Sequence, residues 1–152
     1  MQPMNQKQKY NKPLLLSTDG GARGNPGPAG LGFVITTSTG ELLMQRGRYL
    51  GETTNNVAEY QALIDGLTAV IELGADSVVI RMDSELIVKQ MTGEYKIKQP
   101  HLQNLAAQVQ AQLQKLSHYE FQHVLREYNK AADQMVNEAI DAALGLSKKP
   151  LV

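Results

Sequence analysis

Four acidic residues, Asp19, Glu59, Asp83 and Asp133, stand where the apolar pattern of the chain predicts that elements begin or end. Asp19 follows the run Leu14-Leu15-Leu16 and opens a Gly/Pro-rich stretch reaching Gly30. Asp83 follows a second buried-strand signal, Val78-Val79-Ile80. Glu59 and Asp133 each fall in the first turn of a predicted helix. A carboxylate at the end of a buried strand must be desolvated. If the strands ending at Asp19 and Asp83 are neighbours, their acids repel and raise each other's pKa unless a cation lies between them. Four such acids in a chain without cysteine suggest an all-oxygen site, which suits Mg²⁺ or Mn²⁺. Each acid alone has a plainer reading. Asp19 fits an ordinary acidic turn, and Glu59, three residues after Asn56, fits a capping box. Asp83 before Ser84-Glu85 fits a helix N-cap, and the helix dipole favours any acid at Asp133. The set carries the metal reading, while Asp65, Glu72, Glu138 and Asp141, placed mid-helix or late, read as solvated.

The elements that must position these acids follow from periodicity. Leu14–Asp19, Leu31–Ile35 and Glu41–Leu50 read as three consecutive strands, with a Gly/Pro-rich turn after the first and a Ser38-Thr39-Gly40 turn after the second. The five glycines of the first turn let backbone approach something closely, and Arg23 and Asn25 offer donors for a phosphate or a sugar. A helix starts at Asn55, carries Tyr60, Leu63, Ile64, Leu67 and Ile71 on one face, and ends at Gly74. Ser77–Met82 is a fourth strand and Ser84–Met91 a short helix. Pro100 opens a third helix, Tyr119–Leu125 is a fifth strand, and Asn129 begins a last helix that Gly145 ends. This order predicts an α/β fold with one mixed sheet covered by helices. Residues 13–145 form one domain, with a disordered lead-in over 1–12 and a tail over 146–152.

Composition narrows the function. The 152 residues are 42% hydrophobic and 20% charged, which suits a soluble domain with a full core. No cysteine means no disulfide scaffold and no thiolate metal site, and fits a cytoplasmic location. No apolar run is long enough to span a membrane. The formal net charge is zero, so contact with a polyanion must come from a local patch. The three histidines lack ligand spacing, and His123 in a strand reads as a packed residue. No Walker A sequence is present, and the glycine stretch lies between strands rather than before a helix.

Four stretches in this order resemble type 1 ribonuclease H: Thr18-Asp19-Gly20-Gly21 with Gly24-Asn25-Pro26-Gly27; Thr53-Thr54-Asn55-Asn56-Val57-Ala58-Glu59; Met82-Asp83-Ser84; and Asn129-Lys130-Ala131-Ala132-Asp133. The likeness runs from about Leu14 to Ala143. It implies a ribonuclease H-like fold, a five-stranded mixed sheet of order 3-2-1-4-5 with helices on both faces. It also implies an endonuclease that cuts the RNA strand of an RNA/DNA hybrid by two-metal-ion hydrolysis, leaving a 5′-phosphate and a 3′-hydroxyl. The metal-binding acids carried over are Asp19, Glu59, Asp83 and Asp133, holding two Mg²⁺ ions for which Mn²⁺ can substitute. Backbone at Ala22 and Gly24, with Asn25 and Asn55, matches the positions that meet RNA 2′-hydroxyls. Thr54 and Arg23 match a pocket for a DNA phosphate, and the helix N-terminus at Asn55-Asn56 offers free N–H groups to phosphate. Double-stranded RNA is a further substrate candidate, and a monomer is expected.

Three departures from the family pattern alter these expectations. Only Gly93–Gln99 joins the second and third helices, where many relatives carry a basic helix and loop. The chain resembles the compact variety, and substrate affinity is expected to rest on Lys89, Lys96 and Lys98. The loop before Asp133 has no histidine; Arg126 stands nearest, and arginine keeps its proton near neutral pH, so its expected catalytic role is electrostatic contact with phosphate. Glu85 occupies a substrate-binding position where the family often has an amide.

Overall fold

The computed structural model describes residues 10–146; the parts of the expected lead-in and tail at 1–9 and 147–152 lie outside the described residues. The elements run β1 (Leu14–Ala22), β2 (Gly27–Thr36), β3 (Leu42–Thr53), α1 (Asn55–Glu72), β4 (Ser77–Met82), α2 (Glu85–Met91), α3 (Pro100–Leu113), β5 (His118–His123) and α4 (Lys130–Ala143), with a 3₁₀ turn at Arg126–Tyr128. The five strands form one sheet in the order β3-β2-β1-β4-β5. β1, β2 and β3 pair antiparallel, and β4 runs parallel to both β1 and β5. Among the described residues, no helix is long and apolar enough to cross a membrane.

Strand alternation sends Leu14 and Leu16 of β1, Leu31, Phe33 and Ile35 of β2, and Val78 and Ile80 of β4 into the main core. There they meet Tyr60, Leu63, Leu67 and Val70 of α1, while Leu102, Val109 and Leu113 of α3 complete the cluster. Full burial of each large aliphatic side chain contributes about 1.5–3 kcal/mol. α4 lies against β1, β2 and β3, and its buried residues, Ala132, Val136 and Ile140, recur at helical spacing. The glycine and proline signals act as read at two helix ends. Gly74 follows α1 at φ 89°, and Pro100 sits in the first turn of α3.

Several boundaries differ from the sequence reading, for tertiary reasons. The stretch from Gly20 to Gly30 is mostly strand: Asp19, Gly20, Gly21 and Ala22 pair with Gly32, Leu31, Gly30 and Ala29, leaving a turn at residues 23–26 closed by Arg23 N–H donating to Pro28 C=O at 2.8 Å. Asp19 therefore lies inside β1 rather than at its end. β3 continues through Gly51 to Thr53 because it stays paired with β2. β5 stops at His123, which is exposed rather than packed. Ser84, not Asp83, caps α2, accepting from Ile87 N–H at 3.3 Å. Thr54 caps α1, accepting from Val57 N–H at 3.3 Å. With Thr54 rather than Asn56 as the cap, Glu59 lies two residues past the capping-box position, which Val57 occupies, so the plainer readings of Glu59 and Asp83 both fail.

Candidate active site

The parallel β1–β4 pair is registered up to Ser17 opposite Arg81. Two residues further on each chain stand Asp19 and Asp83, where β4 ends and the sheet opens. Glu59 comes from α1, on the core face. It reaches the sheet end because Gly20 has no side chain: a Cβ there would overlap the Ala58 carbonyl and Glu59 N. Asp133 comes from α4, on the opposite face. Gly32 plays the matching part, since a Cβ there would overlap the Ala132 carbonyl and lie 2.9 Å from Val136 N.

One carboxylate oxygen each from Asp19, Glu59 and Asp83 lies within 4.8 Å of the others. Asp133 is outside that tight group but near enough for its side chain to act on Asp19. Burial is the main force on these groups. It pushes Asp19 from 3.8 up to about 8, with the charges of Asp83, Asp133 and Glu59 adding to the rise. It pushes Glu59 up to about 7, reinforced by Asp83 and opposed by a hydrogen bond with Ser84. Crowded carboxylates that resist ionisation, with only oxygen donors around them, fit a hard divalent cation. Among the described residues these three are the group with metal-ligand spacing. They form one side of a polar cleft of about 370 Å³, which Asp133, Arg126 and Asn137 also line.

The cleft rim is built from the turn at residues 23–26 and the start of α1. Ala22 N–H donates to Asn55 Oδ1 at 2.8 Å, and Asn55 N–H donates to Asn25 Oδ1 at 3.0 Å. The Ala22 and Asn55 amides expected to face substrate are thus engaged within the protein. Gly24, at φ 89°, and Asn25 are exposed at the turn. Arg23 binds α4: its Nη1 lies 2.7 Å from Asp141 Oδ1 and its Nη2 donates to Asn137 Oδ1 at 3.2 Å. Thr54 is the α1 cap and Asn56 is half-buried beside it. Lys96 and Lys98 are exposed on the α2–α3 connection, away from the cleft lining. Glu85, at the start of α2, pairs with Lys89 at 3.4 Å, and Lys89 sits 5.2 Å from the centre of the Tyr95 ring.

Three contributors were not legible as such. Asn129 is 2% exposed and donates to the Thr18 carbonyl at 2.9 Å, which ties the start of α4 to β1 one residue before Asp19. Nothing in the sequence separates it from an ordinary cap. Asn137 and Asp141 follow Asp133 at four-residue spacing. That stripe was visible, but Asp141 reads as solvated until its partner Arg23 is known. Asp65 likewise leaves the solvated set, accepting two bonds from Arg48 at 2.8 and 3.0 Å.

The profile of a family described as reverse transcriptase-like matches residues 17–139. A bifunctional protein of Mycobacterium tuberculosis is 43% identical over 131 residues, covering 86% of this chain and 36% of the relative. Ribonuclease HI of Halobacterium salinarum is 39% identical over 125 residues, covering 82% of this chain and 63% of the relative. The chain thus spans about a third of the first of these curated relatives and under two thirds of the second. The structure of LC11-RNase H1 in complex with an RNA/DNA hybrid superposes with a TM-score of 0.82 at 50% identity, covering 86% of this chain and 99% of that one. The ordered motifs, the 3-2-1-4-5 sheet and these likenesses agree: the chain belongs to the type 1 ribonuclease H family.

Proposed function

We propose that this chain is an endonuclease that hydrolyses the RNA strand of an RNA/DNA hybrid and leaves 5′-phosphate and 3′-hydroxyl ends. The observation that carries the reading is the convergence of Asp19, Glu59 and Asp83 within 4.8 Å, beside Asp133, in the lining of a polar cleft. The likeness to a ribonuclease H1 solved with a hybrid supports the substrate class. Asp19, Glu59, Asp83 and Asp133 would hold two ions of the Mg²⁺ class, with Mn²⁺ as a substitute. Bound there, the ions supply positive charge for an in-line displacement at phosphorus.

The remaining steps belong to the chain's own residues. Gly24 and Asn25 present exposed groups at the rim to the sugar edge of the RNA strand, and Asn55, held by Ala22 and Asn25, is pre-oriented beside them. Thr54 and Asn56 mark the start of α1, where the helix dipole favours phosphate. Its supply of free N–H groups is smaller than expected, because the Asn55 and Val57 N–H groups are already bonded. Arg126, in the cleft wall, offers a fork of donors to the scissile or departing phosphate. Lys96, Lys98 and the Glu85–Lys89 pair border the path of the duplex along α2. The deciding experiment digests sequence-matched labelled hybrid, duplex RNA and duplex DNA with Mg²⁺ or with EDTA. Cleavage of the hybrid RNA strand, abolished by EDTA, is expected. Equal cleavage of duplex DNA, or cleavage that survives EDTA, overturns the reading. Cleavage of duplex RNA at a similar rate would widen the substrate class.

A further inference from the structure

The turn at residues 23–26 touches both helices that deliver acids from opposite faces of the sheet. On one side, Ala22 and Asn25 bond Asn55, the first residue of α1, one turn before Glu59. On the other, the Arg23 guanidinium reaches α4 at two places. Nη1 lies 2.7 Å from Asp141 Oδ1; Nη2 donates to Asn137 Oδ1 at 3.2 Å and to Asn137 C=O at 3.5 Å. Asn137 Nδ2 then donates to the Asp133 carbonyl at 3.1 Å. A continuous polar path runs from the start of α1, across the turn, to the backbone of Asp133.

α4 is where such a path has mechanical work to do. It lies on Gly32 and Gly47, whose missing side chains leave helix backbone against sheet backbone, and few large side chains interlock there to stop the helix from sliding. We infer that the turn is a brace between α1 and α4, and that Arg23 and Asp141 are positioning residues that hold Asp133 in register with Asp19, Glu59 and Asp83. This inference rests on the functional reading above. It differs from the expectation that Arg23 serves a DNA phosphate, because a brace needs its guanidinium turned to α4. Arg23 and Asp141 are partly exposed, and exposed ion pairs add little to global stability. Their removal should therefore alter the metal site more than the melting temperature.

The test compares Arg23→Gln, Asp141→Asn and the charge exchange Arg23→Asp with Asp141→Arg in the full chain. Mn²⁺ binding is measured by calorimetry, and KM and kcat on hybrid are measured across salt. Partners that touch a metal ligand directly are worth about 10–100-fold in metal affinity. The brace acts one bond further out, so each single variant is expected to weaken Mn²⁺ binding about three- to tenfold and to lower kcat, with KM within about twofold. The charge exchange is expected to recover most of that affinity. Wild-type Mn²⁺ affinity in both single variants overturns the brace, as does a charge exchange that behaves no better than the singles. A raised KM and a salt slope reduced by about 0.7–0.9 in Arg23→Gln alone, with Asp141→Asn unaffected, makes Arg23 a phosphate ligand instead. An unmodified chain that binds no divalent ion removes the functional reading and the brace together.

Discussion

The two faces of the sheet hold their helices by different means. Against α1 the strands present Leu14, Leu16, Leu31, Phe33 and Ile35, which share one core cluster with Tyr60, Leu63 and Leu67, and α3 packs on α1 with Val109 in the same cluster. Against α4 they present Gly32 and Gly47, so that helix and sheet backbones meet almost directly. The first interface buries large side chains and carries most of the hydrophobic stabilisation. The second buries Ala132, Val136 and Ile140, and is located by polar ties: Asn129 to the Thr18 carbonyl, Arg23 to Asp141 and Asn137. Both faces deliver an acid to the same cleft. The contrast teaches that stability and site geometry are set in different places here, one by side-chain volume and the other by close approach plus directional bonds.

The largest expected effect comes from Asp83, which with Asp19 belongs to the sheet itself rather than to either helical face. Asp83→Asn should lower hybrid cleavage by about a thousandfold or more, ~4 kcal/mol of barrier. Thermal stability should hold or rise, because one charge leaves a crowded carboxylate group. Near-normal activity in Mg²⁺ would mean that the sheet-end acids do not form the metal site.

A paired substitution then sharpens the contrast itself. Leu63→Ala, on the α1 face, should cost about 2–5 kcal/mol in urea unfolding by leaving a cavity. Its cleavage rate per folded molecule should stay close to wild type. Gly32→Ala, on the α4 face, should cost about 1–3 kcal/mol by overpacking. It should also lower cleavage well below its unfolding transition, because Asp133 moves with α4. Unimpaired cleavage by folded Gly32→Ala would erase the distinction between the faces.

Arg126 stands on the connection from β5 into α4, and so on the α4 side. Arg126→Ala should reduce turnover about ten- to a thousandfold, ~1.4–4 kcal/mol. Arg126→Lys should recover part of it, since the charge remains and the fork is lost. Full activity in the alanine variant would leave α4 contributing Asp133 alone.

The acids also predict how stability depends on pH. Asp19 is raised from 3.8 to about 8 and Glu59 from 4.5 to about 7 in the folded chain. Across those windows the folded state keeps protons that the unfolded state releases, so metal-free stability should fall as pH rises. Divalent ion should oppose the fall, giving a melting-temperature gain of a few degrees that grows between pH 5 and pH 8 (about 2–4 °C per kcal/mol at this size). A gain that is flat with pH would detach the ion from Asp19 and Glu59.

The smallest expected effect lies on the α2–α3 connection. Replacing Lys96 and Lys98 with alanine should raise KM about two- to fivefold at low salt, more than it lowers turnover, and should reduce the salt slope. An unchanged KM would route the duplex elsewhere.

Much of this was legible in the chain. Apolar spacing located the five strands and the three long helices, though not the 3₁₀ turn at Arg126–Tyr128, and Gly74 and Pro100 marked ends where they stand. The acids were legible as a set, and the four motif stretches named the family. Less legible was the purpose of the early glycines. They read as a turn, yet Gly20 and Gly21 lie in β1 and Gly30 and Gly32 in β2. Glycine signals an open turn and a close helix approach in the same way, because both require only that a Cβ be missing.

By itself the sequence determined the elements, their order and the identity of the acids, because periodicity and capping act over a few residues. Only the tertiary structure decided which groups meet. Arg23 and Asn137 are 114 positions apart, and Asn129 and Thr18 are 111 apart. The raised pKa values of Asp19 and Glu59 arise first from burial, which belongs to the assembled sheet end and not to either residue. Long-range contacts of this kind depend on how two helices settle on opposite faces of one sheet, and no local spacing encodes that distance.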